Sequence, residues 1–488
     1  MNTKLLKQKI LDLAIRGKLT QQLKSDGTAR ELLEQISSKV SSSSSTLSSP
    51  RRRGSPSSSA AKTIIPLDKN EAPFEVPANW EWVRLGDVGK WQSGTTPSKS
   101  NSAYYKDGTI PWLNTGDLND GIINNIPKRV TEKALAETSL RLNEAGSVCI
   151  AMYGATIGKL GILSMPATTN QACCVCNNLK SFVNRMWLFF FLMNHKQEFI
   201  EAGFGGAQPN ISKEKIVSTM FPLPPLAEQQ RIVAKIEEAF AEIDAIEKNK
   251  ELLKTHIKQT RQKILDLAIH GKLVPQNKSD EPASVLLERI TRDNPHYEKL
   301  TDVPFEIPDS WEWVKLGDVC KPIKRGKSPK YIEQSNVLVF AQKCNQKDGH
   351  VSLEKALYLD ESTLNKYPKE EFLQKGDVII NSTGTGTLGR VGHFNVDLPQ
   401  GIKGIVPDSH VTTIRSSVVN SNYLYSYLKN KQSYLEKNGE GSTNQKELKP
   451  HTIYDLEFPL PPLAEQKRIV DKIEEIFASL DDISLHLV

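Results

Sequence analysis

The sequence FPLPPLAEQQRIVAKIEEAF at Phe221–Phe240 returns as FPLPPLAEQKRIVDKIEEIF at Phe458–Phe477. Two other segments are duplicated in the same order along the chain. They are QKILDLAIRGKL at residues 8–19, repeated as QKILDLAIHGKL at 262–273, and PFEVPANWEWVRLGDV at 73–88, repeated as PFEIPDSWEWVKLGDV at 304–319. Matches of this length predict that the chain contains one structural unit twice.

The two copies differ in length at one place. The second copy follows the first by 254 residues at the first duplicated segment and by 231 residues at the next. The surplus of about 23 residues lies in SSKVSSSSSTLSSPRRRGSPSSSAAK at residues 37–62. A serine-rich segment of this kind cannot bury a core, so it is predicted to be a flexible insert. Its Arg51, Arg52 and Arg53 could contact phosphates, although a solvated linker is the favoured interpretation.

The carboxyl end of the sequence stops almost where the amino end begins. By the register of the last duplicated segment Val488 corresponds to Glu251, and by that of the first Met1 corresponds to Thr255. We therefore expect the terminal helix to lie close to the helix that starts near Asn2. The chain would then have approximate twofold symmetry and a pseudo-circular order of helix, globular unit, helix and globular unit.

A long helix is predicted within Leu226–Leu273, because the stretch has no proline or glycine before Gly271 and its apolar residues recur at spacings of four and three. Gly271 fits the end of this helix. This seam comprises Ile232, Ile236, Ala239, Ile243, Ile246, Leu253, Ile257, Ile264 and Leu267, interrupted by Lys250 and Thr260. Its partner seam comprises Ile469, Ile473, Ile476, Leu480, Ile483 and Leu487, continued by Leu6, Ile10 and Leu13. Two such helices would pack antiparallel. The duplication favours pairing within the chain over a dimerisation device.

Between the duplicated borders lie two interiors, Trp80–Phe221 and Trp311–Phe458, that are poorly alike. Alternating apolar runs such as SVCIAMY and DVIINS predict strands separated by Gly, Asn, Thr and Pro turns. The predicted fold class is α+β, with two domains of curved mixed β-sheets joined by long antiparallel coiled-coil-like helices. The predicted boundaries are 1–36 for an N-terminal helical segment, 37–66 for the insert, 67–225 for the first domain, 226–295 for a central helical spacer, 296–462 for the second domain and 463–488 for a C-terminal helix.

Composition excludes several classes of protein. The longest apolar run, Met186–Met193, is too short to cross a bilayer, and the amino terminus has no secretory pattern, so a cytoplasmic protein is predicted. The net charge of +6 suits a polyanionic partner without identifying one. Six cysteines are too few for a disulfide framework. Cys173 and Cys176 form a C-x-x-C with no second pair and no nearby histidine, so reduced thiols are favoured over a metal site.

Exposed-looking loops of both interiors are rich in side chains that bind bases and phosphates. Lys and Arg neutralise phosphates, and Asn, Gln and Arg can read adenine or guanine in the major groove. For any single residue an ordinary turn remains the alternative, and the clustering is what favours DNA binding. The candidates in the first interior are Gln92, Ser93, Thr95, Thr96, Ser98, Lys99, Asn114, Tyr153, Thr156, Lys159, Asn170, Gln171, Gln208, Asn210 and Lys213. Those in the second are Lys324, Arg325, Lys327, Ser328, Lys330, Tyr331, Gln342, Lys343, Thr385, Thr387, Arg390, Thr443, Asn444, Gln445 and Lys446.

Catalytic motifs fail on inspection. Gly154–Lys159 resembles a phosphate-binding loop, but its glycines are too close together and Leu160 replaces the Ser or Thr that would hold magnesium. No Asn-Pro-Pro-aromatic signature of an amino-methyltransferase is present. The sequence predicts no catalytic residue and no metal site in this chain.

Taken together, PLPPLAEQ before a long helix in two copies, the WEWVxLGDV segment, SGTTPS, YGATIGK and TNQACC resemble the specificity subunits of type I restriction-modification enzymes. The resemblance covers nearly the whole chain except the insert. It implies two target-recognition domains, each reading one half of a bipartite, asymmetric site in double-stranded DNA, and a helical spacer that sets the gap between the halves.

The resemblance also implies partners. Two methyltransferase subunits and two restriction (motor) subunits would dock on this chain, with no membrane involved. S-adenosylmethionine, ATP and Mg would bind those partners, and no cofactor is expected in this chain. A specificity subunit of a methylation-only or other defence complex is the first alternative. A coiled-coil scaffold with protein- or carbohydrate-binding heads is the second, and steep salt dependence of DNA binding would exclude it.

Overall fold

The computed structural model describes residues 2–35, 64–203, 210–292, 297–384, 386–441 and 446–487. The chain divides into two compact units, Met1–Asn249 and Lys250–Val488. The predicted insert at 37–66 lies outside the described residues except for its last three residues, 64–66. Within the described ranges, no helix has both the length and the apolar character needed to cross a membrane.

The first unit alternates short strands with helices. Its helices are α1 (Thr3–Ile15), α2 (29–35), α3 (Leu85–Val88), α4 (Glu132–Glu137), α5 (Arg185–Asn194), α6 (Lys196–Gly203), α7 (Lys213–Ser218) and the first part of α8 (Leu226–Ile269). Its strands are β1 (Glu81–Arg84), β2 (Lys90–Ser93), β3 (Ile110–Leu113), β4 (Gly121–Ile123), β5 (Arg129–Val130), β6 (Val148–Ala151), β7 (Leu160–Leu163), β8 (Thr168–Thr169), β9 (Cys173–Asn177) and β10 (Met220–Leu223).

The second unit repeats this scheme after the second part of α8. Its helices are α9 (Ala283–Thr291), α10 (Leu316–Val319), α11 (Ser421–Asn430), α12 (Gln432–Lys437), α13 (Pro450–Tyr454) and α14 (Leu463–Leu485). Its strands are β11 (Glu312–Lys315), β12 (Ile323–Arg325), β13 (Tyr331–Ile332), β14 (Val337–Phe340), β15 (Leu357–Leu359), β16 (Asp377–Asn381), β17 (Val391–Phe394), β18 (Gly404–Pro407), β19 (Val411–Ile414) and β20 (Glu457–Leu460).

The two interiors share a core strand order although their sequences are unlike, with β4 added at one sheet edge in the first and β13 in the second. The main sheet runs β2-β9-β6-β7-β4 in the first unit and β12-β19-β16-β17 in the second. A smaller sheet runs β5-β3-β8 and β13-β15-β14-β18, with parallel pairs β3/β8 and β14/β18 among antiparallel neighbours. The borders close each unit, because β1 pairs with β10 and β11 with β20 in the same register. The predicted α+β class with mixed sheets is confirmed.

Each unit packs one helix against its main sheet. In the first unit this is α5, whose apolar run MWLFFFLM is mostly buried beneath Trp80, with the Trp80 and Trp187 ring centroids 5.8 Å apart. Asn184 starts α5 because its side chain accepts hydrogen bonds from two backbone N–H groups of the first turn. Asn420 caps α11 in the same way in the second unit. Burial of this run in a globular core explains why it is so apolar.

Each unit also contains an antiparallel pair of helices. In the first unit α1 lies along the beginning of α8, where Lys7 pairs with Asp244 and lies 5.5 Å from the Phe240 ring centroid. In the second unit the end of α8 lies along α14, where Arg261 pairs with Asp481 and stacks on Phe477. The two units make equivalent contacts, because Lys7, Asp244 and Phe240 correspond in the repeat to Arg261, Asp481 and Phe477. Each half therefore holds a complete copy of the repeat, and the second copy needs no contribution from the amino terminus; the meeting of the chain ends stays a prediction.

The apolar seam of α8 is buried only in part. Ile232, Ile236 and Ile257 are buried, whereas Ile246 and Leu253 are 47% and 38% exposed. The helix ends at Ile269, two residues before Gly271, which was predicted at the helix end and has the left-handed φ of 65° that terminates helices.

A cluster of polar contacts, here called the neck, joins each interior to its helices. Arg231 makes two hydrogen bonds to Asp26, at 2.8 and 2.7 Å, and Arg468 makes two to Asp280, at 3.2 and 2.6 Å. Both aspartates are almost buried, at 6% and 7% exposed. The two necks are thus built from duplicated residues in equivalent positions.

The glutamine of the PLPPLAEQ segment completes each neck. Gln229 donates to the carbonyl oxygens of Phe182 and Pro224, both at 2.9 Å, and accepts from the Asn184 N–H at 2.7 Å. Gln466 donates to the Pro461 carbonyl at 2.9 Å and accepts from the N–H of the helix cap Asn420 at 2.8 Å. The same amide therefore fixes the start of the long helix to the cap of the core helix.

Candidate nucleic-acid interface

The candidate residues of the first unit cluster because three strands end at one edge of the main sheet. Ser93 at the end of β2 pairs with Cys174, and Ala151 at the end of β6 pairs with Cys173 at the start of β9. Antiparallel neighbours bring the loop after β2, the loop after β6 and the loop before β9 to the same side. We call this side of each unit its loop edge.

Backbone hydrogen bonds hold these loops against each other. The Thr95 N–H donates to the Thr169 carbonyl at 2.9 Å, and the Asn170 N–H donates to the Leu113 carbonyl at 2.9 Å, next to Asn114. Tyr153 forms an isolated bridge with Asn210, which brings in the segment before α7. The loops that carry the described candidate residues of the first unit therefore meet at one loop edge.

The candidate side chains differ in exposure. Those exposed are Ser93, Ser98, Lys99, Tyr153, Gln171 and Asn210. Those half-buried are Gln92, Thr95, Thr96, Asn114, Thr156, Lys159, Asn170 and Lys213. Gln208 lies outside the described residues.

The fold already uses some of these groups. The Gln92 amide donates to Asn143 Oδ1 at 2.8 Å and accepts from Arg141 at 3.1 Å. Thr95 and Ser139 share a hydroxyl hydrogen bond of 3.0 Å. The Gln92 side chain is thus a positioning group, whereas exposed Gln171 and Lys99 present their polar atoms to solvent.

A glycine lies at the centre of each loop edge. A Cβ at Gly94 would come within 2.3 Å of the Thr169 carbonyl oxygen and 2.2 Å of that of Asn170. A Cβ at Gly326 would come within 2.3 Å of the carbonyl oxygens of Pro407 and Asp408. Only glycine allows the loop to approach the facing backbone this closely in either unit.

The second unit builds its loop edge from the same strand ends. The Gly326 N–H donates to the Val411 carbonyl at 2.9 Å, and the Asp408 N–H donates to the Phe340 carbonyl at 3.0 Å, next to Gln342 and its loop. Thr383 and Glu447 form the bridge that corresponds to Tyr153 and Asn210. The candidate loops of the second unit are brought together in the same arrangement.

A groove of about 1600 Å³ opens beside this loop edge. Five candidates line it: Arg325, Gln342, Thr387, Arg390 and Lys446. The Gln342 amide oxygen accepts from the Thr387 hydroxyl at 3.0 Å, and Arg390 donates to the Asn345 carbonyl at 2.8 Å, so both side chains also order the loop. Thr385, Thr443, Asn444 and Gln445 lie outside the described residues.

The remaining candidates of the second unit lie on or near residues 324–330, which comprise the end of β12 and the start of the loop that follows it and are here called the basic loop. Ser328, Lys343 and Tyr331 are exposed, the last at 48%. The lysines of this loop are already paired: Lys324 and Lys327 with Glu371, and Lys330 with Asp360 at 2.7 Å. Hydrogen bonds from Lys330 and Ser362 lower the pKa of Asp360 to about 2.

Arg325 of the same loop is paired as well. Its guanidinium contacts the Glu447 carboxylate and donates to the Ser409 carbonyl. The sequence identified these four cations as candidates for phosphate contacts, but it did not reveal that each one already faces a carboxylate.

The groove contains further basic residues that the sequence analysis missed. Lys258 and Arg261 come from α8, and Lys347, His393 and Lys429 come from the interior. Burial lowers the pKa of Lys429 and of His393, whose Nε2 lacks a hydrogen-bond partner among the described residues. The spacing of three between Lys258 and Arg261 places them on one helix face, and this spacing is the sequence pattern that could have identified them.

Cysteine chemistry plays no part in this interface. All six cysteines are free and buried, and Cys173, Cys174 and Cys176 lie on the buried strand β9. Burial, with a smaller contribution from Cys174, raises the pKa of the Cys176 thiol to about 12, so this member of the C-x-x-C is unreactive. Across the described ranges, no three His, Cys, Asp or Glu side chains are grouped so as to hold a metal ion.

Comparison with known proteins gives a consistent result. The family described as the type I restriction modification DNA specificity domain matches residues 77–255 and again residues 308–485. The specificity subunit of the type I restriction enzyme EcoEI from Escherichia coli is 23% identical over 99% of this chain and 90% of its own length.

Two solved structures share the fold. One, from a study of assembly and conformational transition of the type I R-M system, is 21% identical, covers 85% of this chain and 94% of its own, and has a TM-score of 0.57. The other, the HsdS subunit from Thermoanaerobacter tengcongensis, is 20% identical, covers 86% and 94%, and has a TM-score of 0.53.

Proposed function

The chain belongs to the family of type I restriction-modification DNA specificity subunits, and on this basis we propose that its two loop edges read the two halves of one bipartite, asymmetric DNA site. The observation that carries the proposal is the repetition of one strand order with two different sets of loops. One scaffold presents the loops in the same way twice, and unlike loops recognise unlike bases. The site they read is therefore non-palindromic.

The two loop edges offer different chemistry to DNA. The first presents hydroxyl and amide groups with few charges, such as Gln171 and Ser93, which suit hydrogen bonds to base edges. The second presents Arg325, Lys446 and the cations of the groove, which suit phosphates and guanine. Phosphate contacts supply affinity and position the chain, and base contacts supply specificity.

The duplicated borders suit two copies of one partner. The helix pairs and necks are nearly identical in the two units. A partner protein that binds this surface of one unit can therefore bind the similar surface of the other unit in a second copy. We infer that two methyltransferase subunits and two restriction (motor) subunits assemble on this chain. In that complex S-adenosylmethionine, ATP and Mg bind the partners, and this chain supplies recognition without a reacting group.

Genome-wide mapping of adenine methylation by this chain with its methyltransferase partner tests the proposal. The expected result is one asymmetric motif in two specified parts separated by unspecified bases. Binding to a duplex with that motif should weaken with salt, with a slope of roughly 0.9 per phosphate contact. A palindromic motif, or binding insensitive to salt, would contradict the proposal.

Glycine variants assign the two half-sites to the two loop edges. Gly94→Ala should weaken discrimination at one half of the motif and Gly326→Ala at the other, because each new methyl displaces a backbone carbonyl that cannot move cheaply. Gly116→Ala is the control, since a Cβ there meets nothing within 4 Å. The readout is the binding of duplexes altered in one half-site. Loss at both halves from either variant would overturn the assignment.

A further inference from the structure

The basic loop at residues 324–330 carries four cations, and the described contacts give each of them a carboxylate. Lys324 and Lys327 share Glu371, with Lys327 Nζ 2.7 Å from its carboxylate; Arg325 pairs with Glu447, and Lys330 with Asp360. Four positive charges thus face three negative ones. A loop that has the composition of a phosphate-binding element is nearly neutral in the unbound chain.

Glu371 is the most enclosed of the three carboxylates. Its side chain is 11% exposed, against 17% for Asp360 and 42% for Glu447, whereas Lys324 above it is 55% exposed. Burial raises the pKa of Glu371, but hydrogen bonds from Lys324 and Lys327 outweigh it, and the pKa lies below its ordinary value. The group is therefore a charged carboxylate at neutral pH, held beneath the loop.

The backbone on both sides of Glu371 is fixed. Arg415 donates to the Glu370 carbonyl at 3.1 Å and to the Phe372 carbonyl at 2.9 Å. Arg415 is itself anchored by Asp377, which is 1% exposed, at 2.6 Å. These contacts hold the backbone of Glu371 in place beneath the two lysines, so a phosphate that approaches must compete with its carboxylate for them.

The corresponding loop of the first unit has no such arrangement. Its cation, Lys99, is exposed and makes no ion pair in the described part of the chain, and its neighbours Ser98 and Ser100 bond to each other at 2.8 Å. The comparison shows that ion pairing is a feature of the second unit and not of the shared fold.

We propose that Glu371 is a specificity-determining residue of the second unit, which holds Lys324 and Lys327 so that DNA of any sequence binds weakly there. Base contacts at a matched half-site must then supply the free energy that displaces the carboxylate. Because counterion release drives sequence-independent binding, a lysine already paired with protein contributes little of it. The proposal rests on the DNA-recognition function proposed above.

The experiment compares Glu371→Gln with the wild-type chain, each complexed with the methyltransferase partner. Affinity is measured for three duplexes, the cognate site, the site with its second half scrambled, and unrelated DNA, over a range of salt. Glu371→Gln keeps the shape and removes the charge. It should bind unrelated DNA roughly tenfold tighter at low salt, with a salt slope steeper by up to about two, while cognate affinity rises less.

A matched control has the same charge change elsewhere in the second unit. Glu281→Gln removes the carboxylate that pairs with Arg289 at 2.7 Å, away from the loop edge. It should leave the ratio of cognate to unrelated binding unchanged. If Glu371→Gln gains no more affinity for unrelated DNA than Glu281→Gln, or gains equally on all three duplexes, the role of Glu371 is refuted.

A second comparison guards against effects on folding. In Glu371→Gln the added affinity should disappear when Lys324→Gln and Lys327→Gln are introduced as well, and persistence of the gain would refute the proposal. Glu371→Asp, which keeps the charge, should bind unrelated DNA as weakly as the wild type. If the wild-type complex itself does not distinguish cognate from unrelated DNA, it is the proposed recognition function that fails.

Discussion

At the scale of the residue, the duplicated PLPPLAEQ segment is explained by one side chain. Gln229 is fully buried and satisfies both ends of its amide with backbone groups of the neck. No other side chain of that size offers two donors and an acceptor at one terminus. Gln466 repeats the arrangement, so the identity of the segment follows from hydrogen bonding that a carboxylate or an apolar group cannot reproduce.

We expect Gln229→Glu to destabilise the first unit by about 2–5 kcal/mol at neutral pH, because a buried carboxylate would face two carbonyl oxygens. In the folded state the pKa of the introduced carboxyl group would rise above its value in the unfolded chain. The penalty is therefore full above the folded pKa and shrinks as pH falls toward the unfolded pKa, where the protonated group can donate. Denaturant unfolding at several pH values measures this.

The control for that variant is Gln230→Glu, because Gln230 is exposed on the same turn. It should change stability by less than about 0.5 kcal/mol. An equal loss in both variants, or a loss in Gln229→Glu that does not depend on pH, would contradict the assigned role of the amide.

Residue types in the loops were predictable from sequence, but their partners were not. The candidate list contains Lys324 and Lys327, yet the carboxylate that holds them is 47 positions after Lys324. Gln92 was a sound candidate by type, and its amide is used by Arg141, which is 49 positions away. Partners this far apart in the sequence leave no local pattern that predicts them, because the pairing depends on which strands become neighbours in the fold.

At the scale of the element, each long helix depends on a bidentate ion pair in its neck. Arg231 and Arg468 lie one turn into α8 and α14, and each is bound to an aspartate near the helical segment that precedes the interior. Since both aspartates are almost buried, removal of the arginine leaves a carboxylate without its partner. The neck is therefore a point where packing of the helix and order of the interior are coupled.

We expect Arg468→Ala to lower the free energy of unfolding of the second unit by roughly 1–3 kcal/mol. Lys472→Ala is the comparison, since Lys472 pairs with Glu475 at 2.8 Å in an exposed position and should cost less than about 1 kcal/mol. Thermal unfolding of both variants, followed with a spectroscopic probe in the second unit, measures the difference between their stabilities. Equal effects would mean that the Asp280 carboxylate does not depend on Arg468.

Secondary structure was predicted well where periodicity was strong and less well at ends. The helix from Leu226 was predicted by its spacing and by the proline before it, and Gly271 was predicted at its end, two residues beyond the last helical residue Ile269. The seam was predicted to be apolar except at Lys250 and Thr260, and exposed Ile246 and Leu253 show that periodicity alone does not establish burial. The shared strand order could not be predicted, since the two interiors have little sequence in common.

At the scale of the whole molecule, recognition and framework are carried by different parts of the sequence. The borders form the helix pairs and necks, and the interiors form the loop edges. Because β11 and β20 pair with each other at the border, the polypeptide enters and leaves the second interior at neighbouring positions. A segment with ends so close can be replaced without altering the framework.

We expect exchange of residues 311–458 for the corresponding segment of a relative to change one part of the methylated motif and leave the other part intact. Exchange of residues 80–221 should change the other part. Methylation mapping of the two hybrids measures this directly. A hybrid whose motif changes in both parts would show that the two interiors do not read DNA independently.

The completeness of each half has a consequence for the gene. Both partners of every neck and helix pair described here come from one half, and the duplicated segments are long and nearly identical. Unequal recombination between them, for example joining residues 1–240 to residues 478–488, would delete one unit and keep the other, with Asp481 in the position of Asp244 opposite Lys7. Recombination within the duplicated segments therefore favours gain or loss of whole units.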